Sequence, residues 1–249
     1  MVAKTVTLIF IGLLTFFVGI ISNLPASLFS KKINNVTQSV NGLQVGKIFG
    51  TIWNGSIEAR YNEFPVSRVS WDTSLFHLIF GQLNLEVSIN AAGLEGKSDL
   101  LLLNDSIKLS NLRLEINSSF INEATESFGL ELSESFTVRT SEIYVSDNWF
   151  SQINGKIAWP GGSIELVTPL ERLRVQLPML SGIAKMEGEE AKLYMYSNSE
   201  ELMILSLGRS GWAKAEVNQR FFEITQLSLP GLDSETGKDP AFTFEEKIL

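Results

Sequence analysis

His77 is the only histidine among the 249 residues, and the chain contains no cysteine. Counting therefore leaves no multi-histidine metal centre, no thiolate metal site, no disulfide framework and no cysteine nucleophile. A triad built on His77 finds no support, because this residue stands inside the short apolar segment Ser74-Leu75-Phe76-His77-Leu78-Ile79-Phe80 and reads as a surface or interface residue. Serines are plentiful, yet no G-x-S-x-G elbow, G-x-x-x-x-G-K-[ST] phosphate loop or G-x-G-x-x-G fingerprint occurs. Gly208-Arg209-Ser210-Gly211 reads more simply as a hairpin turn.

Carboxylates are the remaining chemical resource. A pair suited to glycoside hydrolysis would have to come from Glu58, Asp72, Glu86 and Glu115, all on expected strands, where such residues usually form the wet face of a sheet. Glu187, Glu189 and Glu190 surround Gly188, and Asp99 and Asp105 flank an apolar run, but neither spacing is that of a calcium loop. The expectation is a chain that is not an enzyme and uses no metal or cofactor. The formal net charge of −8 and the absence of any basic run longer than Lys31-Lys32 argue against a nucleic-acid partner. With 44% hydrophobic and 19% charged residues, the chain can bury a core.

The elements that would hold these residues begin with an apolar N-terminus. Residues 5–30 carry no charge, and the stretch VTLIFIGLLTFFVGII within them is long enough to cross roughly 30 Å of hydrocarbon. An uncleaved anchor is the expectation. A cleaved signal peptide is the alternative, weakened because cleavage after Ala26 would put Leu24 at the third position before the cut. Either way the rest of the chain is exported, although the few charges beside the segment do not set its orientation. Phe29, Ile33, Val36 and Val40 fall at helical spacing before Asn41-Gly42, as a stalk or as a short amphipathic helix packed on the domain.

Beyond residue 47 the dominant period is two. It is cleanest where Leu83, Leu85, Val87, Ile89 and Ala91 alternate with polar residues, which predicts one buried and one wet face. Further strands are expected over 48–61, 66–72, 106–117, 136–145, 155–159, 191–197, 203–207, 211–217 and 221–229, joined by hairpins. Only 75–80 and 120–128 look helical, the second from the spacing of Phe120, Ala124 and Phe128. The fold class expected is mainly β: a mostly antiparallel, strongly curved sheet, as sandwich, open barrel or groove, with one or two short helices. Two loosely similar segments, GTIWNGS from Gly50 and NGKIAWPGG from Asn154, hint at a repeated hairpin.

One constellation is more specific. Gly50-Thr51-Ile52-Trp53-Asn54-Gly55 forms G-T-x-W-x-G, followed by Val69-Ser70-Trp71 and by Gly81-Gln82-Leu83. Before it stand an N-terminal apolar span, Leu24-Pro25-Ala26 and Gly42-Leu43-Gln44-Val45. This order resembles the type II secretion system protein N family, also called general secretion pathway protein N, most specifically over residues 24–83. The family signature here is Gly50, Thr51, Trp53, Gly55, Trp71 and Gly81, and it reads as structural. Thr51, Trp53, Gly55 and Ile57 are expected on one strand face, with glycine leaving room for an indole, so Trp53→Ala should cost a few kcal/mol.

The resemblance implies a single-pass protein of the bacterial inner membrane with its bulk in the periplasm, serving as an accessory or scaffold of the type II secretion system. Its partners would be other subunits of that machine and inner-membrane lipid. The organisation expected is an anchor over 1–24, a stalk or linker over 25–46 and a periplasmic β domain over 47–232; the acidic tail over 233–249, with Gly237 and Pro240, matches no motif of the family and reads from its composition as exposed and mobile. The strand-rich, anchored pattern also resembles AsmA-like envelope proteins, which implies the alternative of a lipid ligand bound or transferred along an apolar β groove.

Overall fold

The computed structural model describes residues 11–13, 15–16, 18–30, 42–73, 83–103, 105–126, 129–167, 172–226 and 240–247. Gly81, His77, the expected helix at 75–80 and the stalk positions Ile33, Val36 and Val40 lie outside them. Residues 11–13, 15–16 and 18–22 are helical, with Ile11, Leu13, Phe16 and Val18 exposed. Among the described residues no helix is long and apolar enough to cross a membrane. A short 3-10 turn, Ala26–Phe29, follows.

The body is mainly β. In chain order the elements are β1 (Leu43–Gly50), β2 (Asn54–Tyr61), β3 (Ser67–Thr73), β4 (Leu83–Ala91), β5 (Leu94–Leu102), β6 (Ser106–Ile116), α1 (Ser118–Thr125), β7 (Leu130–Leu132) and β8 (Phe136–Ser146). They continue with β9 (Trp149–Trp159), β10 (Gly162–Val167), β11 (Arg172–Leu177), β12 (Leu180–Glu187), β13 (Glu190–Ser197), β14 (Glu200–Gly208), β15 (Trp212–Val217), α2 (Gln219–Thr225) and β16 (Phe242–Lys247). Thirteen strands form one sheet in the order β1-β2-β3-β4-β5-β6-β8-β9-β12-β13-β14-β15-β16, and β11-β10-β7 form a second. The large sheet is open, with β1 and β16 as its edges, so it does not close into a barrel.

Tight turns make this meander possible. Asp147 and Asn148 between β8 and β9, and Asn198 and Ser199 between β13 and β14, have positive φ at both central positions. These two-residue hairpins match the twist of antiparallel strands, and Asn and Asp tolerate the conformation best after glycine.

Four expectations change. The single strand expected over 48–61 breaks at 51–53 into β1 and β2, because Gly50 takes φ +83° and turns the chain. The segment expected as a strand over 221–229 is helical as far as Thr225: Phe221 and Ile224 lie on one helical face and pack on the core, and Arg220 pairs with Glu223 one turn away. The tail expected to be mobile carries β16, where alternating Phe242-Thr243-Phe244 pairs with the otherwise open edge of β15. The repeated hairpin dissolves, since Trp53 lies in a turn and Trp159 ends β9 in the core. Strands β5 and β12 and the small sheet β7, β10 and β11 fall outside the expected strands; in β5 and β12 Gly96, Ser98 and Gly182 dilute the alternation.

The core is concentrated at one part of the large sheet. Trp159, Leu180, Met195 and Leu202 cluster there with Leu177, and Ile164, Val175, Phe221 and Ile224 pack against them from the small sheet and α2. This local second layer leaves much of the same face part-exposed.

Register gives that face its continuity. Ile48, Ile57, Val69 and Ile89 stand opposite one another across β1 to β4, and Gly96 continues the row on β5. Leu114, Val138 and Ile157 follow on β6, β8 and β9, then Gly182 on β12. Met195, Met203, Val217 and Phe242 complete it on β13 to β16. At about 4.8 Å between neighbouring strands this apolar row is roughly 58 Å long measured along the sheet. Residues one position along point to the opposite face, where Glu58, Arg68, Asn90, Glu95 and Glu115 form a polar row.

Candidate functional site

The signature residues meet at the β1–β2 turn. Thr51 organises it: its amide donates to the Asn54 carbonyl at 2.8 Å, and its hydroxyl oxygen accepts from the amides of Trp53 and Asn54 at 3.3 and 3.1 Å. This side-chain turn stops the strand and lifts Ile52 and Trp53 out of the ladder. The expected common strand face for Thr51, Trp53, Gly55 and Ile57 is therefore corrected, because the first two belong to the turn.

What the turn reaches is the end of the N-terminal helix. A helix ends with carbonyls that have no partner of their own. Here Asn23 Nδ2 donates to Gly19 O at 2.8 Å and the Asn23 amide to Ile20 O at 3.1 Å. Trp53 Nε1 donates to Ile21 O at 2.7 Å, and the Ile52 amide to Leu24 O at 3.0 Å. Pro25 bridges Thr51, and Ala26 beside it is buried. The signature thus builds a cap supplied by the sheet for the helix end.

Trp71 and Gly55 complete the joint. They are direct partners across β2 and β3, and the Trp71 indole donates to the Ile52 carbonyl at 3.2 Å. A methyl group on Gly55 would overlap Trp71 Cζ2 and would stand 2.6 Å from the Phe49 carbonyl oxygen. Glycine is required there because the indole and two strands converge on one point. The Thr73 amide ties β3 to the Trp53 carbonyl at 2.7 Å. Of the six signature residues the structure brings five together. Ile52, which acts only through its backbone, was invisible to side-chain reasoning.

Trp53 is only half-buried, so its loss should cost less than truncation of a fully buried indole. Trp53→Phe keeps a ring and removes the donor. It should weaken the joint by about 1 kcal/mol, the usual net worth of one hydrogen bond. Faster hydrogen exchange at the Ile52 amide, with an unchanged melting midpoint of the sheet, is the expected readout.

Of the four carboxylates, the structure brings two together, on the strands beside the joint. Asp72 and Glu86 are cross-strand neighbours on the exposed face, and Asp72 accepts from Asn54 Nδ2 at 2.7 Å. Glu58 pairs with Arg68 at 3.2 Å, while Glu115 stands opposite Glu95 on β5, several strands from Asp72. Among the described residues no group of three or more histidines, cysteines, aspartates or glutamates could hold a metal ion.

A denser charge network lies on β12 and β13. Glu187 meets Lys185 Nζ at 2.7 Å and Lys192 Nζ at 3.2 Å, and Lys185 lies 4.5 Å from the centre of the Tyr194 ring. Hydrogen bonds from Lys185, Tyr194 and Lys192, in that order, hold the Glu187 carboxyl at about 2. A carboxyl lowered from its usual 4.5 contributes stability that is present in full above 4.5 and is lost as pH falls toward about 2. The stability difference between the protein and its Glu187→Gln variant should shrink over that window in acid titrations of the unfolding midpoint. A constant difference would refute the assignment.

The apolar face opens into a trough of about 350 Å³ between β9 and β16, lined by Ala184, Leu193, Leu205, Ala213, Ala215 and Phe244 among others. A polar groove of about 600 Å³ runs beside the joint, past Arg68, Asp72, Glu86 and Lys97.

The family model for type II secretion system (T2SS) protein N matches residues 41–229, from just before β1 to just past α2. No curated protein and no solved structure matches the chain.

Proposed function

The chain belongs to the type II secretion system protein N family, and from that membership we propose that it is an accessory scaffold of the machine. In this reading it is held in the bacterial inner membrane by its apolar N-terminal segment, with the β body in the periplasm and no catalysis of its own. The joint carries the proposal. Trp53 binds the Ile21 carbonyl in the last turn of the N-terminal helix and Ile52 the Leu24 carbonyl just beyond it, so an anchored helix would set the attitude of the whole sheet. A body held this way presents its open edges, β1 and β16, to neighbouring subunits, and strand addition is the contact such edges favour.

The test is a clean deletion in the bacterium that carries the protein, complemented by the full chain or by a chain lacking residues 1–24. The expected outcome is folded cargo trapped in the periplasm, rescue by the full chain only, and normal detergent resistance of the envelope. Secretion that continues without the protein would end the proposal, and rescue by the shortened chain would remove the anchor from it.

A further inference from the structure

We propose that the polar face of the large sheet docks an acidic α-helix of a partner protein, laid across β5, β6, β8 and β9. That this partner belongs to the secretion machine rests on the scaffold reading above; the docking itself does not.

Lys97, Arg113, Arg139 and Lys156 stand directly opposite one another on these neighbouring strands, and all are exposed. Like charges placed directly opposite on antiparallel strands repel and destabilise the pairing. Here such pairs follow in succession, in a chain whose net charge is −8. Other cations of this sheet are matched within the chain: Arg68 with Glu58, Lys108 with Glu142, Lys185 and Lys192 with Glu187, and Lys214 with Glu216. The side chains of the basic row have no such match among the described residues. The nearest acids on one side are engaged, since Asp99 accepts from Asn111 Nδ2 at 2.8 Å and Glu142 holds Lys108. On the other side Glu95 and Glu115 face each other without an ion pair to the row, and Thr137 and Ala158 continue that side on β8 and β9. The positive stripe is one side chain wide.

Width and spacing select the occupant. A broad polyanion would meet Glu95 and Glu115 as well, whereas a narrow rod along the row meets chiefly cations. Strand steps of about 4.8 Å spread the basic row over roughly 14 Å. On a helix, which rises about 1.5 Å per residue, side chains at i, i+3, i+7 and i+10 share one face and cover about 15 Å. The same number of alternate side chains on an extended peptide covers about 20 Å and falls out of step. A helix also bonds its own backbone groups internally, so it can lie on a sheet face whose amides and carbonyls are already used in the ladders. Beyond Lys156 the row continues to Ile183, 46% exposed, and then Tyr194, which offer such a helix an apolar contact past its acidic stretch.

The test uses the purified full chain in neutral detergent at low ionic strength, where exposed charges are least screened. The probe is a fluorescein-labelled, alanine-rich helical peptide with glutamates at i, i+3, i+7 and i+10. Fluorescence anisotropy compares it with an isomer whose glutamates are spread around the helix, and with labelled inorganic polyphosphate. The in-register peptide is expected to bind, and Arg113→Gln combined with Arg139→Gln should weaken it about tenfold, the joint effect of two exposed ion pairs. Lys97→Gln combined with Lys156→Gln should do the same, whereas Lys214→Gln, on β15 and well outside the row, should leave binding unchanged. Because both double variants relieve repulsion, their melting midpoints should equal or exceed that of the parent. A lowered midpoint would show that these cations hold the sheet together and would overturn the inference. Equal binding of the two peptides, or binding that survives both double variants, would also overturn it. So would failure of the in-register peptide to bind, and polyphosphate held by the row in its place would make the occupant a phosphate polymer. In the complemented deletion strain the double variants should fail to restore secretion. Secretion restored by variants that no longer bind the peptide would leave the docking standing and detach it from the secretion reading.

Discussion

Trp159→Ala is expected to destabilise the fold by about 3–5 kcal/mol, the range for truncating a fully buried aromatic. Trp159 is 1% exposed and sits at the centre of the core cluster, against Leu177, Leu180, Met195 and Leu202. Its ring stacks on Phe136 at 5.7 Å between centroids, and its indole donates to the Glu134 carbonyl at 3.3 Å. Alanine would empty the seam where the small sheet and α2 lie on the large sheet, and neither layer has another core to fall back on among the described residues. Denaturant unfolding of the purified protein reads the effect as a lower midpoint with a similar slope. Trp159→Phe should lose much less, since the ring remains and only the donor goes. Equal losses for both variants would show that the hydrogen bond, not the packing, matters there.

Gly55→Ala is expected to open the first hairpin and to abolish function in complementation. Its methyl group would overlap Trp71 and crowd the carbonyl oxygens of Phe49 and Thr51 at 2.6 and 2.9 Å. A side chain can swing aside, but two backbone carbonyls cannot, so the strain of about 1–3 kcal/mol expected for overpacking falls on the turn itself. The turn's amide and indole donors would then leave the Ile21 and Leu24 carbonyls. Adding Trp71→Ala should not restore the protein, because the backbone conflict persists. Full rescue by that second change would show that the glycine serves the indole alone. Hydrogen exchange at Ile52, read beside secretion in the complemented strain, distinguishes a loosened joint from a globally unfolded chain.

The two predictions fall in segments that look alike in sequence, each combining glycine, a β-branched residue and a tryptophan. Trp53 was the one expected to be a buried strand residue, yet it caps a helix from a half-buried turn, while Trp159 carries the core. Sequence spacing cannot separate these roles, because both depend on partners distant along the chain: Ile21 for one, Leu177, Met195 and Leu202 for the other. The same holds for β16, whose alternation is short and acidic and becomes a strand only beside the open edge of β15.

The sequence by itself determined the chemical inventory: one histidine, no cysteine and an uncharged N-terminal run. It also determined the β class of the body, through side chains that alternate at period two, and the signature from Gly50 to Trp71, which is local in the chain. Only the tertiary structure decided what the signature grips, which tryptophan is the core, and that apolar residues or glycines on all thirteen strands fall into one row. The physical reason is register. Alternation says which residues of one strand share a face, but turns and bulges set how each strand slides past the next. A slip of a single residue would have sent Ile89 or Val138 to the polar side.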